Sequence, residues 1–181
     1  MTDNLKGKLL LAGGALFDDN FRQTVVLIGG HDDSGAFGLV LNRPLDTTIA
    51  EAVPPLAALA GAEARLFRGG PVAPELPVLL VRVSDPAGLD VPILGSTGLV
   101  TGDVSTELGR RVVEARVFAG HAGWAPGQLE AELEADAWIV EAATEADVFS
   151  AEPETLWRRL LERKGPDFAR LARVPFDPSL N

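Results

Sequence analysis

Two histidines are the only imidazoles in this chain of 181 residues, and each stands in a stretch that could support chemistry. His31-Asp32-Asp33 sets an imidazole beside two carboxylates, a combination that binds a divalent cation or serves as a general base held by an acid. Neighbouring residues in a turn point in different directions, so the simpler reading has Asp32 or Asp33 bonding local backbone amides. His121 becomes a partner for His31 if two glycine-rich turns lie side by side. Asn42-Arg43-Pro44 and Gly69-Gly70-Pro71-Val72 suggest an anion cradle. Consecutive glycines expose amides, and the Arg43 fork matches phosphate or carboxylate. The structural alternative puts Arg43 in a salt bridge and uses the glycines for tight turns. Gly123-Trp124-Ala125-Pro126-Gly127-Gln128-Leu129-Glu130 places an aromatic at a helix N-terminus, where a partial positive charge favours an anion. There the alternative is a core tryptophan, with Gln128 and Glu130 tying down the turn. The candidate ligand-binding set is therefore His31, Asn42, Arg43, Gly69, Gly70, His121, Trp124 and Gln128.

Other chemistries are excluded by what the sequence lacks. There is no phosphate loop, no Gly-x-Gly-x-x-Gly, no Gly-x-Ser-x-Gly and no His-Glu-x-x-His. The absence of cysteine removes disulfides, iron–sulfur clusters, thiolate zinc sites and a cysteine nucleophile. No cofactor and no metal is assigned, and no catalytic residue. Lys and Arg number 16 against 26 Asp and Glu, for a net charge of −10, which disfavours direct DNA binding because phosphates are neutralised by basic side chains. The densest basic cluster, Arg158-Arg159 with Arg163-Lys164, reads as a solvated helix face. No apolar run approaches the ~18–20 residues of a membrane helix. The opening Met1-Thr2-Asp3-Asn4 has no basic n-region, so the expectation is a cytoplasmic protein with no membrane partner.

These candidates need elements to position them. Residues 8–12 are a short apolar run in a β-rich stretch, and 24–28 and 36–41 read as strands, both apolar on both faces and hence covered on both sides. Residues 29–35 read as a longish hairpin turn. Thr47 or Thr48 caps a helix through 49–53 that breaks at Pro54-Pro55 and resumes at 56–60. Residues 65–68, 78–83, 111–119 and 138–142 read as further strands, 85–111 as loop with short strands, and 120–127 as a glycine-rich turn feeding a helix. Leu156, Trp157, Leu160 and Leu161 form the apolar stripe of a helix ending at Gly165-Pro166, and 167–173 is a shorter helical piece. With no repeat or linker, the chain reads as one domain over 1–181. Helices and strands do not alternate strictly, which indicates α+β.

Taken together, 31–44, 69–72 and 120–130, with Gly7-Lys8-Leu9-Leu10-Leu11-Ala12 and the strand over 21–28, resemble the YqgE/AlgH family of bacterial proteins. The motifs match in order from about residue 5 to residue 142. The resemblance implies a cytoplasmic α+β domain with a folded-up, barrel-like, mostly antiparallel sheet flanked by helices. It implies no reaction. One branch of the family carries the label of a transcriptional regulator, and regulation here would act indirectly, through a protein or small ligand. The chain departs from the family at His121, where tyrosine is usual, at Gly14 or Ala15, where proline is usual, and in 102–113, which is short for the family's helix. The leading expectation is a non-enzymatic binding or regulatory protein whose partner is a small anion or another protein. The alternative is an enzyme or binder acting on a phosphorylated or acidic small molecule, with Arg43 holding the anion and His31 as base. A third reading is a homodimer built on an apolar patch.

Overall fold

The computed structural model describes residues 4–176; residues 1–3 and 177–181 of the expected 1–181 domain lie outside it. Ten strands run β1 (Lys8–Ala12), β2 (Val25–Asp32), β3 (Gly35–Val40), β4 (Pro44–Thr48), β5 (Arg65–Arg68), β6 (Val72–Val83), β7 (Val91–Leu94), β8 (Thr97–Val100), β9 (Val112–Trp124) and β10 (Trp138–Ala142). Between them lie α1 (Ile49–Ala52), α2 (Ala57–Ala60), α3 (Thr106–Arg111), α4 (Gln128–Glu134), α5 (Glu145–Val148), α6 (Leu156–Lys164) and α7 (Pro166–Ala169).

The strands form one sheet in the order β10-β1-β2-β3-β9-β6-β8-β7, with β5 bridging β4 and β9 off that path. All described pairings are antiparallel except β5 with β9. The thirteen-residue β9 folds the sheet. Its end, Ala122 to Trp124, pairs with β3, while the stretch from Val112 to His121 pairs with β6. Gly120, at φ +71°, lies at that changeover, a conformation that glycine adopts without strain. The path stays open, ending at β10 and β7.

Period-two alternation divides the apolar residues among three cores. Leu9, Leu11, Val25, Leu27, Leu39 and Leu41 pack with the Leu156, Trp157, Leu160 and Leu161 stripe of α6. On the opposite face, Leu10, Val26, Ile28 and Val40 meet Leu129 of α4 with Trp124 and Trp138. Leu79, Val81 and Val117 are covered by Ile49 of α1 and Leu108 of α3. The two-sided burial expected of 24–28 and 36–41 is present in β2 and β3, as is the Thr48 cap: its hydroxyl accepts the Glu51 amide while the Glu51 carboxylate accepts the Thr48 amide.

Three stretches differ from expectation. Residues 29–32 are strand, not turn, and only Asp33 and Ser34 make the hairpin turn. The Phe37 ring lies across Gly29 and Gly30, where an added Cβ would sit 2.5 and 2.6 Å from ring atoms; the glycines make room for an aromatic. Residues 120–124 likewise continue β9 instead of turning, and Gly120 lets the Gly70 and Val72 carbonyls approach, where an added Cβ would sit 2.7 Å from each. The weakly patterned 85–111 contains β7, β8 and the six-residue α3.

Candidate functional site

The Asn42 side chain joins the end of β3 to the entry of β2. Its Oδ1 accepts the Val25 amide at 2.9 Å and its Nδ2 donates to the Gln23 carbonyl at 2.8 Å. Asn42 is buried, so these bonds satisfy a polar group that would otherwise destabilise the core. Arg43 is held next to it. Its Nη2 donates to the Arg22 carbonyl at 2.5 Å and its Nη1 to the Asp19 carbonyl at 3.3 Å, so backbone carbonyls take the place of the expected salt bridge. The Arg22 and Arg43 guanidinium carbons lie 4.3 and 5.3 Å from the centroid of the Phe176 ring, within cation–π range.

A pocket of about 410 Å³ opens at this end of the sheet, lined by Arg43, Arg158 and Arg173 with Gln23, Asn42 and Trp157, and with Glu154 as its one carboxylate among the described residues. Burial, followed by the nearby charges of Arg22 and Arg68, pulls the Arg43 pKa below the usual arginine value. It remains a cation, and an added negative charge would relieve that crowding. Arg22 Nε is buried with no hydrogen-bond partner among the described residues.

His31 sits at the other end of the β2–β3 hairpin. His31 pairs with Ala36, seven residues before Arg43, which at 3.3 Å per residue separates the two by on the order of 20 Å. Its Nδ1 accepts the Leu5 amide at 3.2 Å, so Nδ1 carries no proton and Nε2–H donates to Glu130 Oε1 at 2.8 Å. Both ring nitrogens are engaged, and the expected general base has no free one. Glu130 is held below the usual carboxylate value, chiefly by that His31 bond. Asp32 makes the local turn bonds, accepting the Ser34 amide at 2.8 Å as well as its hydroxyl. The Ser34 hydroxyl first, then its amide, lowers the Asp32 pKa. Among the described residues no group of three His, Cys, Asp or Glu side chains is arranged to hold a metal.

Trp124 is buried, with its ring 6.1 Å from that of Trp138 in an edge-to-face arrangement. Both indole N–H groups donate to Glu132 Oε2, at 2.9 and 2.7 Å. Gln128 ties down the turn, accepting the Ala125 amide through Oε1 and donating to Glu132 Oε1 through Nε2, at 3.0 and 2.9 Å. The core reading of Trp124 therefore describes its surroundings.

Gly69 and Gly70 are buried against β9. The Gly69 amide donates to the Ala119 carbonyl at 2.9 Å, and a Cβ on Gly70 would come within 2.2 Å of the His121 backbone. The pair serves close chain approach, so the expected cradle of exposed amides is absent. His121 pairs with Val72 across the β6–β9 ladder. The structure thus brings His31 near Trp124 and the start of α4, and sets Gly69-Gly70 between His121 and the 40–43 stretch, with the Val40 amide donating to the Gly69 carbonyl and the Arg68 amide to the Arg43 carbonyl, each at 2.8 Å; the three stretches adjoin through the backbone, while the pockets at Arg43 and at His31 are separate.

Sequence reasoning missed Arg173 and the role of Arg158. The basic stretch on α6 divides: Arg158 lines the pocket, Arg159 donates to Ser150 Oγ and the Glu152 carbonyl, Arg163 pairs with Asp147, and Lys164 pairs with Glu141. A helical period placing Arg158 beside the buried Trp157 was the available signal.

A folded, open, mostly antiparallel α+β sheet with a basic pocket at one end defines a class of fold before any sequence match. The family model described as AlgH-like matches residues 9–169, and the chain belongs to that family. It is 43% identical to a UPF0301 protein of Streptomyces coelicolor and 40% identical to one of Streptomyces avermitilis, in each case over 98% of this chain and 96% of the relative. Among solved structures it is similar to protein DIP2367 of Corynebacterium diphtheriae, with a TM-score of 0.83 and 26% identity over 92% of this chain and 91% of that one. It is also similar to the AlgH protein of Pseudomonas aeruginosa, with a TM-score of 0.71 and 30% identity over 96% and 95% of the two chains. No helix among the described residues is long and apolar enough to cross a membrane.

Proposed function

We infer that the protein is a non-enzymatic binding protein for a small phosphorylated or otherwise acidic molecule, seated in the pocket beside Arg43. The observation that carries this reading is the gathering of Arg43, Arg158 and Arg173 around one concavity in a chain of net charge −10. Cations clustered against the overall charge attract an anion locally, and guanidinium forks match phosphate oxygens. Binding is favoured over turnover because the described lining supplies arginines and a single carboxylate, while both nitrogens of His31 are spent at the far end of the hairpin. Any regulatory role would then be indirect, with ligand occupancy altering a surface seen by another protein in the cytoplasm.

The test is a thermal-shift screen with inorganic phosphate, nucleotides and sugar phosphates. A ligand at 100 times its Kd stabilises the fold by about 2.7 kcal/mol. Arg158 and Arg173 are exposed, so the double variant Arg158→Ser/Arg173→Ser should melt like the parent without ligand and lose the ligand-induced shift. Equal shifts in parent and double variant would sink the reading, as would no shift with any of these anions.

A further inference from the structure

A second cavity, about 350 Å³ in volume, lies where β5 parts from β9. The parallel register of these strands covers only Phe67 with Phe118 and Arg68 with Ala119. Beyond it the chains diverge, and α1, α2 and the segment entering α6 wall the space. Ile49, Ala64, Phe67 and Pro153 give it apolar surfaces.

Arg116 also lines this cavity, at a position where the strand pattern calls for an apolar residue. Alternation along β9 sends Ala115 and Val117 toward the α1–α3 core, and Phe118 toward the α6 core. Arg116 shares the face of Phe118 and is paired across the ladder with the fully buried Leu80. Its guanidinium carbon is 4.6 Å from the Phe67 ring centroid. It donates to the Val148 carbonyl at 3.3 Å and to the Ser150 carbonyl, using two of the five N–H donors of an arginine. It makes no ion pair among the described residues, whereas Arg65 in the same cavity is already paired with Glu154 at 2.7 Å. Glu114, the next residue on that face, is paired with Arg82 across the ladder, so Arg116, set between buried Leu80 and Phe118 with spare donors and no ion pair, is a local conflict, and such conflicts concentrate at functional sites.

We propose that this cavity is a binding site for a monocarboxylate with an apolar body, its carboxylate on Arg116 and its hydrocarbon or aromatic part against Ile49, Ala64 and Phe67. The charge inventory selects the ligand class. Arg65 and Glu154 cancel as an ion pair, and Glu63 is exposed, where solvent screens its charge, which leaves Arg116 as the lining cation that lacks a partner. One carboxylate matches that single charge, whereas a phosphate dianion exceeds it and adds uncompensated negative charge beside Glu63 and Glu154. The site shares Glu154 with the basic pocket at Arg43, but Arg116 and the apolar walls are its own, and it stands whether or not that pocket binds an anion.

The experiment is an amide NMR titration of the full chain with 3-phenylpropionate, with 3-phenylpropanamide as the neutral control. The expected result is saturable shifts at Ala64, Phe67 and the 115–117 amides, with the amide control binding at least about tenfold more weakly. Arg116→Gln should remove the preference for the acid. Because Arg116 also holds the Val148 and Ser150 carbonyls, a second variant keeps the test decisive. Ala60→Leu is compatible with its helix, narrows the cavity and leaves Arg116 in place, and it should weaken 3-phenylpropionate by at least about tenfold. Equal binding of acid and amide, full affinity in Ala60→Leu, shifts confined to the Arg43 pocket, or no saturation at high millimolar concentration would each overturn the proposal. Inorganic phosphate added separately should move amides around Gln23 and Arg43 only, so failure of either site is seen independently of the other.

Discussion

Glu132 shows how far a residue's role can lie from its sequence signal. It stands between Glu130 and Glu134 on a short acidic helix, with Asp136 just beyond, and nothing in that run marks it out. In the fold its Oε2 accepts two indole N–H groups and its Oε1 accepts from Gln128. Trp124 and Trp138 come from different strands, so the carboxylate is shared between β9 and β10 across the α4 core. Removing it leaves two buried indole donors unpaired, and each such donor costs about 1–3 kcal/mol. Glu132→Ala should therefore lower stability by about 2 kcal/mol or more in urea unfolding followed by tryptophan fluorescence. Glu132→Gln keeps an acceptor oxygen and should cost clearly less. Equal losses in the two variants would mean that the indoles find other partners. His31 is comparable: its tripeptide suggested catalysis, but the Leu5 amide on Nδ1 and Glu130 on Nε2 make it a connector between the chain entry, β2 and α4.

At the scale of elements, glycines separate what the sequence can and cannot express. Gly70 has φ +153°, and a Cβ there would meet the His121 backbone at 2.2 Å. Gly109 lies inside α3, with no positive φ and nothing within 4 Å of an added Cβ. Gly70→Ala should destabilise by about 3 kcal/mol or more, since backbone atoms must move. Gly109→Ala should stabilise by about 0.5–1 kcal/mol, through helix propensity and a less flexible unfolded chain. Thermal unfolding of the two variants beside the parent checks both, and a neutral Gly70→Ala would refute the close approach of β9. Both glycines look alike in one dimension. The same ambiguity made Gly29-Gly30 and Gly120 read as turns, although they accommodate the Phe37 ring and the bend of β9. Strands β1, β2, β3 and β10 were legible because their apolar runs are continuous, and α6 because its stripe has a helical period. The basic pocket was half legible: Arg43 stood out beside Asn42 and Pro44, while Arg173 arrives from 130 residues downstream, a pairing that only the fold creates.

For the whole molecule, the sheet that hydrogen bonds leave open is spanned by side chains from one segment. After β10, α5 reaches the β7–β8 turn, where Glu145 Oε1 accepts the Ser96 amide at 2.8 Å and the Thr97 hydroxyl at 2.9 Å. The α6 helix then returns toward β10, where Lys164 donates to the Val140 carbonyl at 2.9 Å. Asp147 ties the two helices together, accepting from Arg163 at 3.1 and 3.0 Å and capping its own helix through the Thr144 amide. Burial alone would raise the Asp147 pKa; the Arg163 and Thr144 hydrogen bonds outweigh it, and the value lies below that of an ordinary aspartate. A carboxyl whose pKa is depressed by folding contributes its full stabilisation above the ordinary aspartate pKa and loses it as pH falls through the depressed value. Parent and Asp147→Asn should therefore differ in unfolding free energy at neutral pH, the parent being more stable, and the difference should shrink as the solution is taken to the acid side of the aspartate range. Urea titrations at neutral and acid pH measure this directly. A gap that is constant with pH would mean that the Asp147 charge does not hold α5 to α6, and that packing of Leu156, Trp157, Leu160 and Leu161 alone keeps the two edges of the sheet together.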